Sequence, residues 1–252
     1  MEQQICAVTV APLRREPTHR SEMVSQLLLG ELVSCLEFSG DFVFIQNKYD
    51  GYTGWCQKSQ LLPLKSAIFT TGAEQLSSGY VAPATWKGFP VHVPLGAPVG
   101  NLLDNQLSDF FYNGSVHWAG SLPFVSENII DHVALYHQTP YAWGGKSIFG
   151  IDCSGFCQQV YRFFGKKLPR DASQQALVGE MVGFLEEVRC GDLAFFENEE
   201  GTITHVGLLL NNKEIIHASG KVRIDDIDQW GIINRDTGQR THTLRLMRRY
   251  DE

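Results

Sequence analysis

The chain has 252 residues, 43% hydrophobic and 19% charged, proportions that exclude a disordered or fibrous protein. That length buries a substantial core and allows one large domain or two to three small ones. A formal net charge of −7 argues against nucleic acid or an anionic membrane as partner, and no apolar run approaches the ~18 residues of a membrane span.

The first residues, Met1-Glu2-Gln3-Gln4-Ile5-Cys6-Ala7-Val8, contain no basic stretch, long apolar core or small-residue cleavage site, so no secretory leader is expected. The six cysteines follow no dense small-domain pattern and read as reduced thiols. The expected location is therefore the cytoplasm; a mature form stripped of its leader, periplasmic or secreted, would read the same way.

Residues 1–65 read as all-β. Short apolar or alternating runs (Ile5–Val10, Glu31–Phe38, Asp41–Gln46, Gly51–Cys56) are separated by turn signals such as Ser39-Gly40-Asp41 and Tyr49-Asp50-Gly51. Strands this short and close predict a small barrel. Pro12–Pro17 with Gln26–Glu31, and then Asp50-Gly51-Tyr52-Thr53-Gly54-Trp55-Cys56, resemble pieces of a bacterial SH3-like domain. Trp55 reads as a core aromatic, whereas alternation puts Tyr52 on the face opposite Thr53. Residues 66–120, rich in Pro, Gly and Ser with brief β-like pieces, read as a second, degenerate SH3-like barrel, with an irregular linker as the alternative.

From Ser121 the pattern changes, and residues 121–252 form the third expected domain. Ser126 can cap a helix from Glu127 to about Gln138, stopped by Pro140. Trp143-Gly144-Gly145 opens a turn-rich approach to Gly150-Ile151-Asp152-Cys153-Ser154-Gly155-Phe156. A second helix runs from Cys153 to Phe164, with Gly165 as its stop, and Ala172–Val178 reads as a short third. Strands follow at Leu193–Phe196, Ile203–Leu210, Glu214–Ala218 and His242–Arg248. A thiol-bearing helix followed by an antiparallel sheet is an α+β arrangement.

Cys153 stands in the first turn of its helix, where unpaired backbone N–H groups favour the thiolate and are expected to lower its pKa. Asn211-Asn212-Lys213 is a turn signal, and a hairpin centred near residue 212 pairs residue 217 with 207. His205 and His217 then share one face of adjacent strands, with Gly207 between them leaving room for a helix end or substrate. One cysteine and two histidines so placed point to a nucleophile, its base and a group that orients the base. No metal is expected: Cys153–Cys157, His132–His137 and His205–His217 match no usual zinc spacing. No other cofactor is expected either.

Residues 121–252 resemble the NlpC-type papain-like cysteine peptidases of bacterial cell-wall metabolism. The matching pieces are Tyr141-x-Trp143-Gly144-Gly145, Asp152–Phe156, Leu168-Pro169-Arg170, Gly191–Phe196, His205–Leu208 and Ile216–Gly220. The resemblance implies a papain-like domain with Cys153 as nucleophile, His205 as general base and acid, and His217 orienting His205. The Cys153 N–H, with Tyr141 nearby, would stabilise the oxyanion. Asp171 stands where wall-cutting members often carry Thr. With the preceding SH3-like domain and its Tyr, this resembles the branch that trims free muropeptides, in which such groups bind the substrate ammonium. By that match Tyr52, Tyr141, Trp143, Asp152, Ser154 and Asp171 are substrate-binding candidates. Asp152 could instead cap its helix, and Asp171 could pair with Arg170 or cap the next one.

The implied activity is a γ-D-glutamyl-L-diamino acid endopeptidase of murein peptide recycling, acting on peptides such as L-Ala-γ-D-Glu-meso-diaminopimelate or its L-Lys counterpart. A monomer without nucleic-acid or membrane partners is expected. The alternatives are a secreted wall-lytic endopeptidase tethered to peptidoglycan by its SH3-like domains, and a catalytically inactive wall-binding module.

Overall fold

A computed structural model describes residues 2–64, 74–104 and 109–250. The chain divides into two units, Met1–Ser121 with Trp143–Ile148, and Leu122–Ala142 with Phe149–Glu252.

The first unit begins with seven short strands: β1 (Gln3–Cys6), β2 (Val10–Arg14), β3 (Met23–Leu28), β4 (Leu32–Ser39), β5 (Phe42–Asn47), β6 (Thr53–Gln57) and β7 (Leu61–Pro63). They pair in the order β3-β2-β6-β5-β4-β1-β7. Alternation sends Ala11, Leu13, Leu27, Val33, Val43, Ile45 and Cys56 into one apolar core. Because Gly54 and Cys56 take the inward positions of β6, Trp55 faces the other way. It is half-buried against Phe44, with ring centroids 5.2 Å apart, and is not the core residue expected.

In the stretch expected to hold a second barrel, residues 66–73 and 105–108 lie outside the described residues. The remainder contains β8 (Gln75–Ser77), β9 (Val81–Trp86), β10 (Phe89–Pro94), α1 (Val99–Asp104), β11 (Phe110–Tyr112) and β12 (Val116–Trp118). These form a three-stranded sheet, β10-β9-β11, and a ladder of β12 with β8. Ala84, Trp86, Val93 and Leu102 share a second core with Ile5, Leu28 and Leu32. Trp143–Ile148, with β13 (Lys146–Ser147), completes this unit. Gly144 has a φ of +75°, and a side chain there would meet the Met23 carbonyl at 2.6 Å, so glycine is required. Lys146 is fully buried, with Nζ 3.3 Å from Glu31 Oε1, and its N–H donates to Gln26 Oε1 at 2.8 Å.

The second unit opens with α2 (Ser126–Ala134). It starts one residue before the expectation and ends four before it. Val125 occupies the cap position without a side-chain bond, and turns continue to Gln138, whose φ of +69° ends the helical path. The short β14 (Gly150–Ile151) leads into α3 (Cys153–Phe163), which is buried along its whole length. Gly165, at φ +73°, stops it as expected. Helix α4 covers only Ala172–Gln175.

The strands are β15 (Glu180–Val182), β16 (Leu193–Glu197), β17 (Ile203–Leu209), β18 (Glu214–Ser219), β19 (Lys221–Asp228), β20 (Gly231–Ile233) and β21 (Arg240–Arg249). They pair in the order β15-β21-β16-β17-β18-β19-β20, and β20 returns to β21. Six antiparallel strands, β16 to β21, thereby close into a barrel. Ala194, Phe196, Leu209, Ile215, Ile227 and Ile232 form one apolar cluster with Met247. Val206 and Leu208 are fully buried on the other face of β17, the strand against which α3 packs. The α+β expectation holds, with the sheet closed on itself.

Candidate active site

Cys153 is placed by the residues that start its helix. Asp152 is the N-cap, with extended backbone (φ −94°, ψ 177°) and a carboxylate oxygen 2.7 Å from the Gly155 N–H. Arg170 grips the same carboxylate through both terminal nitrogens, at 2.6 and 3.0 Å, and donates to the Ser154 hydroxyl at 2.9 Å. Gln175 donates to the carbonyls of Ser154 and Pro169, at 3.1 and 2.8 Å. The Leu-Pro-Arg piece thus holds the first turn of α3 from outside. Asp152 and Ser154, both buried, direct hydrogen bonds into this support. Asp171, half-buried, uses its backbone carbonyl to accept from Gln174 and Gln175; its side chain makes no cap bond, and Arg170 pairs with Asp152.

The thiol itself is 7% exposed. Burial pushes it up to about 12, the Asp152 carboxylate adds to this, and the N–H groups of Val206 and Ser154 with Arg170 pull it down. The helix field is present, but desolvation outweighs it, which corrects the expectation of a lowered pKa. Tyr141 lies in the field of Cys153 and Asp152, and burial raises its phenol to about 12. It therefore keeps its proton and can donate a hydrogen bond.

The histidines stand as the hairpin arithmetic requires. Gly207 pairs with His217 across β17 and β18. His205 Nε2 is 2.8 Å from His217 Nδ1, and His217 Nε2 is 3.0 Å from Asp225 Oδ2. Gly207 makes room for neighbours within the sheet, not for a helix end or substrate: a Cβ there would fall 2.7 Å from Ile215 Cδ1 and 2.9 Å from His217 Cβ. Burial, with the rings of His217 and His242, holds His205 well below the ordinary histidine pKa. His242 stacks on His205 with centroids 4.2 Å apart, and burial lowers it to about 4. Burial alone would raise Asp225, but hydrogen bonds from His217, Arg223 and the Arg235 N–H outweigh it and hold the carboxylate well below its usual range.

The structure thus places Cys153, Tyr141, Asp152, Ser154, Asp171, His205 and His217 in the second unit and Tyr52 and Trp143 in the first. The Trp143 indole N–H donates to Glu22 Oε1 at 2.8 Å. Arg170, Asp225 and His242 were not anticipated in these roles. Asp225 was within reach of the hairpin arithmetic: Ser219 pairs with Lys221 about Gly220, which brings residue 225 opposite 215 and diagonal to His217. His242 reaches the site through barrel closure, which no local pattern announces. Among the described residues, no three His, Cys, Asp or Glu side chains form a metal-binding group.

Residues 138–241 match the model of the NlpC/P60 family, and residues 13–61 match that of the bacterial dipeptidyl-peptidase Sh3 domain. The chain is 31% identical over 214 residues to a γ-D-glutamyl-L-lysine dipeptidyl-peptidase of Bacillus subtilis, an alignment covering 77% of this chain and 71% of that one. The chain belongs to the NlpC/P60 family. A protein of the same name from Bacillus cereus is 25% identical over 257 residues, covering 89% of this chain and 77% of the relative. A solved NlpC/P60 family structure from Bacillus cereus superposes with a TM-score of 0.80 at 21% identity, covering 98% of this chain and 99% of the other, and so shares the fold. The protein is an NlpC/P60 cysteine peptidase, a papain-like domain preceded by an SH3-like domain.

Proposed function

We propose that this peptidase hydrolyses the γ-D-Glu–diamino acid bond of free cell-wall peptides that begin with L-Ala. The observation that carries the reading is the buried set of Cys153, His205 and His217 in a chain that is 31% identical to a γ-D-glutamyl-L-lysine dipeptidyl-peptidase over 77% of its length. A dipeptidyl-peptidase releases two residues from an N-terminus, which fits an ammonium-binding role for Asp171. An ammonium in a closed subsite requires an anion and hydrogen-bond acceptors to offset its desolvation. The six free thiols support a reducing compartment, the cytoplasm, as the setting.

In this mechanism the thiol is protonated at rest. As Sγ attacks the γ-carbonyl carbon of D-Glu, its proton passes to His205 Nδ1, because Nε2 is engaged by His217. The oxyanion is stabilised by the Cys153 N–H and the Tyr141 hydroxyl. His205 gives the proton to the departing amine of the diamino acid, leaving a thioester. Water, deprotonated by His205, then attacks the thioester; L-Ala-D-Glu leaves and the thiol is restored.

Mixing the purified protein with L-Ala-γ-D-Glu-meso-diaminopimelate and with its L-Lys counterpart is expected to release L-Ala-D-Glu from at least one of them. Cys153→Ala should release none, and an N-acetylated substrate should react at least tenfold more slowly. Equal rates on free and acetylated peptides, or on intact sacculi, would refute the free-amine reading.

A further inference from the structure

The buried relay does not end at His217. Asp225 is 1% exposed and lies on β19, one strand beyond the histidine pair. Its Oδ2 faces His217 Nε2 at 3.0 Å; its Oδ1 accepts from Arg223 at 2.7 Å and from the Arg235 N–H at 3.0 Å. Arg223 is held in turn by Asp236 at 3.0 Å. The two oxygens have separate duties, one toward the barrel strands and one toward the histidines.

We propose that Asp225 is a positioning residue that fixes the tautomers of both histidines, so that His205 presents a bare Nδ1 to the thiol. The argument is a proton count along the chain of contacts. An ionised carboxylate only accepts, so His217 must carry its proton on Nε2. Neutral His217 then offers a lone pair at Nδ1. At 2.8 Å from that lone pair, His205 Nε2 must be the donor. Neutral His205 is left with its lone pair on Nδ1, the position the mechanism needs. Burial, with the rings of His217 and His242, favours the neutral form of His205, in agreement with this count. The inference rests on the cysteine-peptidase reading of Cys153 and His205 but not on the identity of the peptide.

Asp225→Asn separates this role from simple support. Arg223 and the Arg235 N–H are both donors, so the amide oxygen of the substituted side chain would turn toward them and its NH2 toward His217. That donor would require a lone pair on His217 Nε2, a proton on His217 Nδ1 and therefore a proton on His205 Nδ1. The base would be reversed while its packing stayed intact, the situation in which an Asp-to-Asn change in a serine protease triad lowers kcat about 10⁴-fold.

The test is long-range proton–nitrogen NMR on protein carrying ¹⁵N-histidine, with signals assigned by their loss in His205→Gln and His217→Gln, together with kinetics on the cleaved peptide. Wild-type protein should show the Nε2–H tautomer at both residues. In Asp225→Asn both should become Nδ1–H, with kcat lowered roughly 10³- to 10⁴-fold, KM within about threefold and thermal stability largely kept. A proton on His217 Nδ1 in the wild type would overturn the proposal, and this reading stands even if the variant does not fold. A variant that loses activity while its tautomers stay unchanged would also overturn it, because the role would then be structural. The NMR needs no substrate, so a failed peptide assay leaves it standing. In that case the rate of Cys153 alkylation replaces kcat as the activity measure.

Discussion

At the scale of single residues, the site is governed by competition between burial and hydrogen bonding. Cys153 begins a helix, yet burial pushes its thiol up to about 12. His205 is shifted the other way by the same burial and by its neighbouring rings. Both shifts favour the uncharged pair, and the proposed mechanism accordingly starts from thiol and imidazole. A raised thiol pKa means that the thiolate fraction grows about tenfold per pH unit throughout the range below it. The rate of Cys153 alkylation by iodoacetamide, read by peptide mass spectrometry, is therefore expected to rise steadily from about pH 6 to about pH 10. A rate that is flat across that range would show a resting thiolate–imidazolium pair instead.

At the scale of elements, the hairpin of β17 and β18 does most of the positioning. Its glycine is a packing requirement. A methyl group at residue 207 would press on Ile215, fully buried in the barrel cluster, and on the Cβ of His217. Gly207→Ala is expected to cost on the order of 1–3 kcal/mol. That corresponds to a Tm loss of roughly 2–10 °C. Displacement of His217 should also lower kcat at least tenfold, measured beside a thermal melt of the same preparation; unchanged kcat and Tm would show that the strand absorbs the methyl group.

Much of this hairpin was legible in the sequence because period-two alternation and a polar turn fix its register. The same reasoning placed the thiol at a helix start and Gly165 at the helix end. It did not deliver β19, whose charged residues interrupt its apolar alternation, or β20, a strand of only three residues, and without them neither Asp225 nor the ring closure that brings in His242 could be seen. Trp55 was misplaced for a related reason: its size argued for the core, but the inward positions of β6 belong to Gly54 and Cys56. Arg170 was noted as part of a motif and as a candidate partner of Asp171. Its ion pair with Asp152 joins residues distant in the chain, a contact that local patterns do not encode.

At the scale of the whole molecule, the boundary between the two units does not follow a single point in the chain. Trp143–Ile148 lies in sequence just ahead of the helix that begins with Cys153, yet it belongs to the first unit, where Gly144 fits against Met23 and Lys146 meets Glu31. Residues 121–252 cut out alone would leave Lys146, fully buried in the intact chain, without that carboxylate. Tests of the chemistry therefore call for the full chain. The most direct is to quench the 252-residue chain with acid soon after adding L-Ala-γ-D-Glu-meso-diaminopimelate and to map the acylated residue by mass spectrometry. The account predicts an L-Ala-γ-D-Glu adduct on Cys153, formed by the wild type and absent from Cys153→Ala. Peptide cleavage that persists in Cys153→Ala, or an adduct carried by another cysteine, would contradict it.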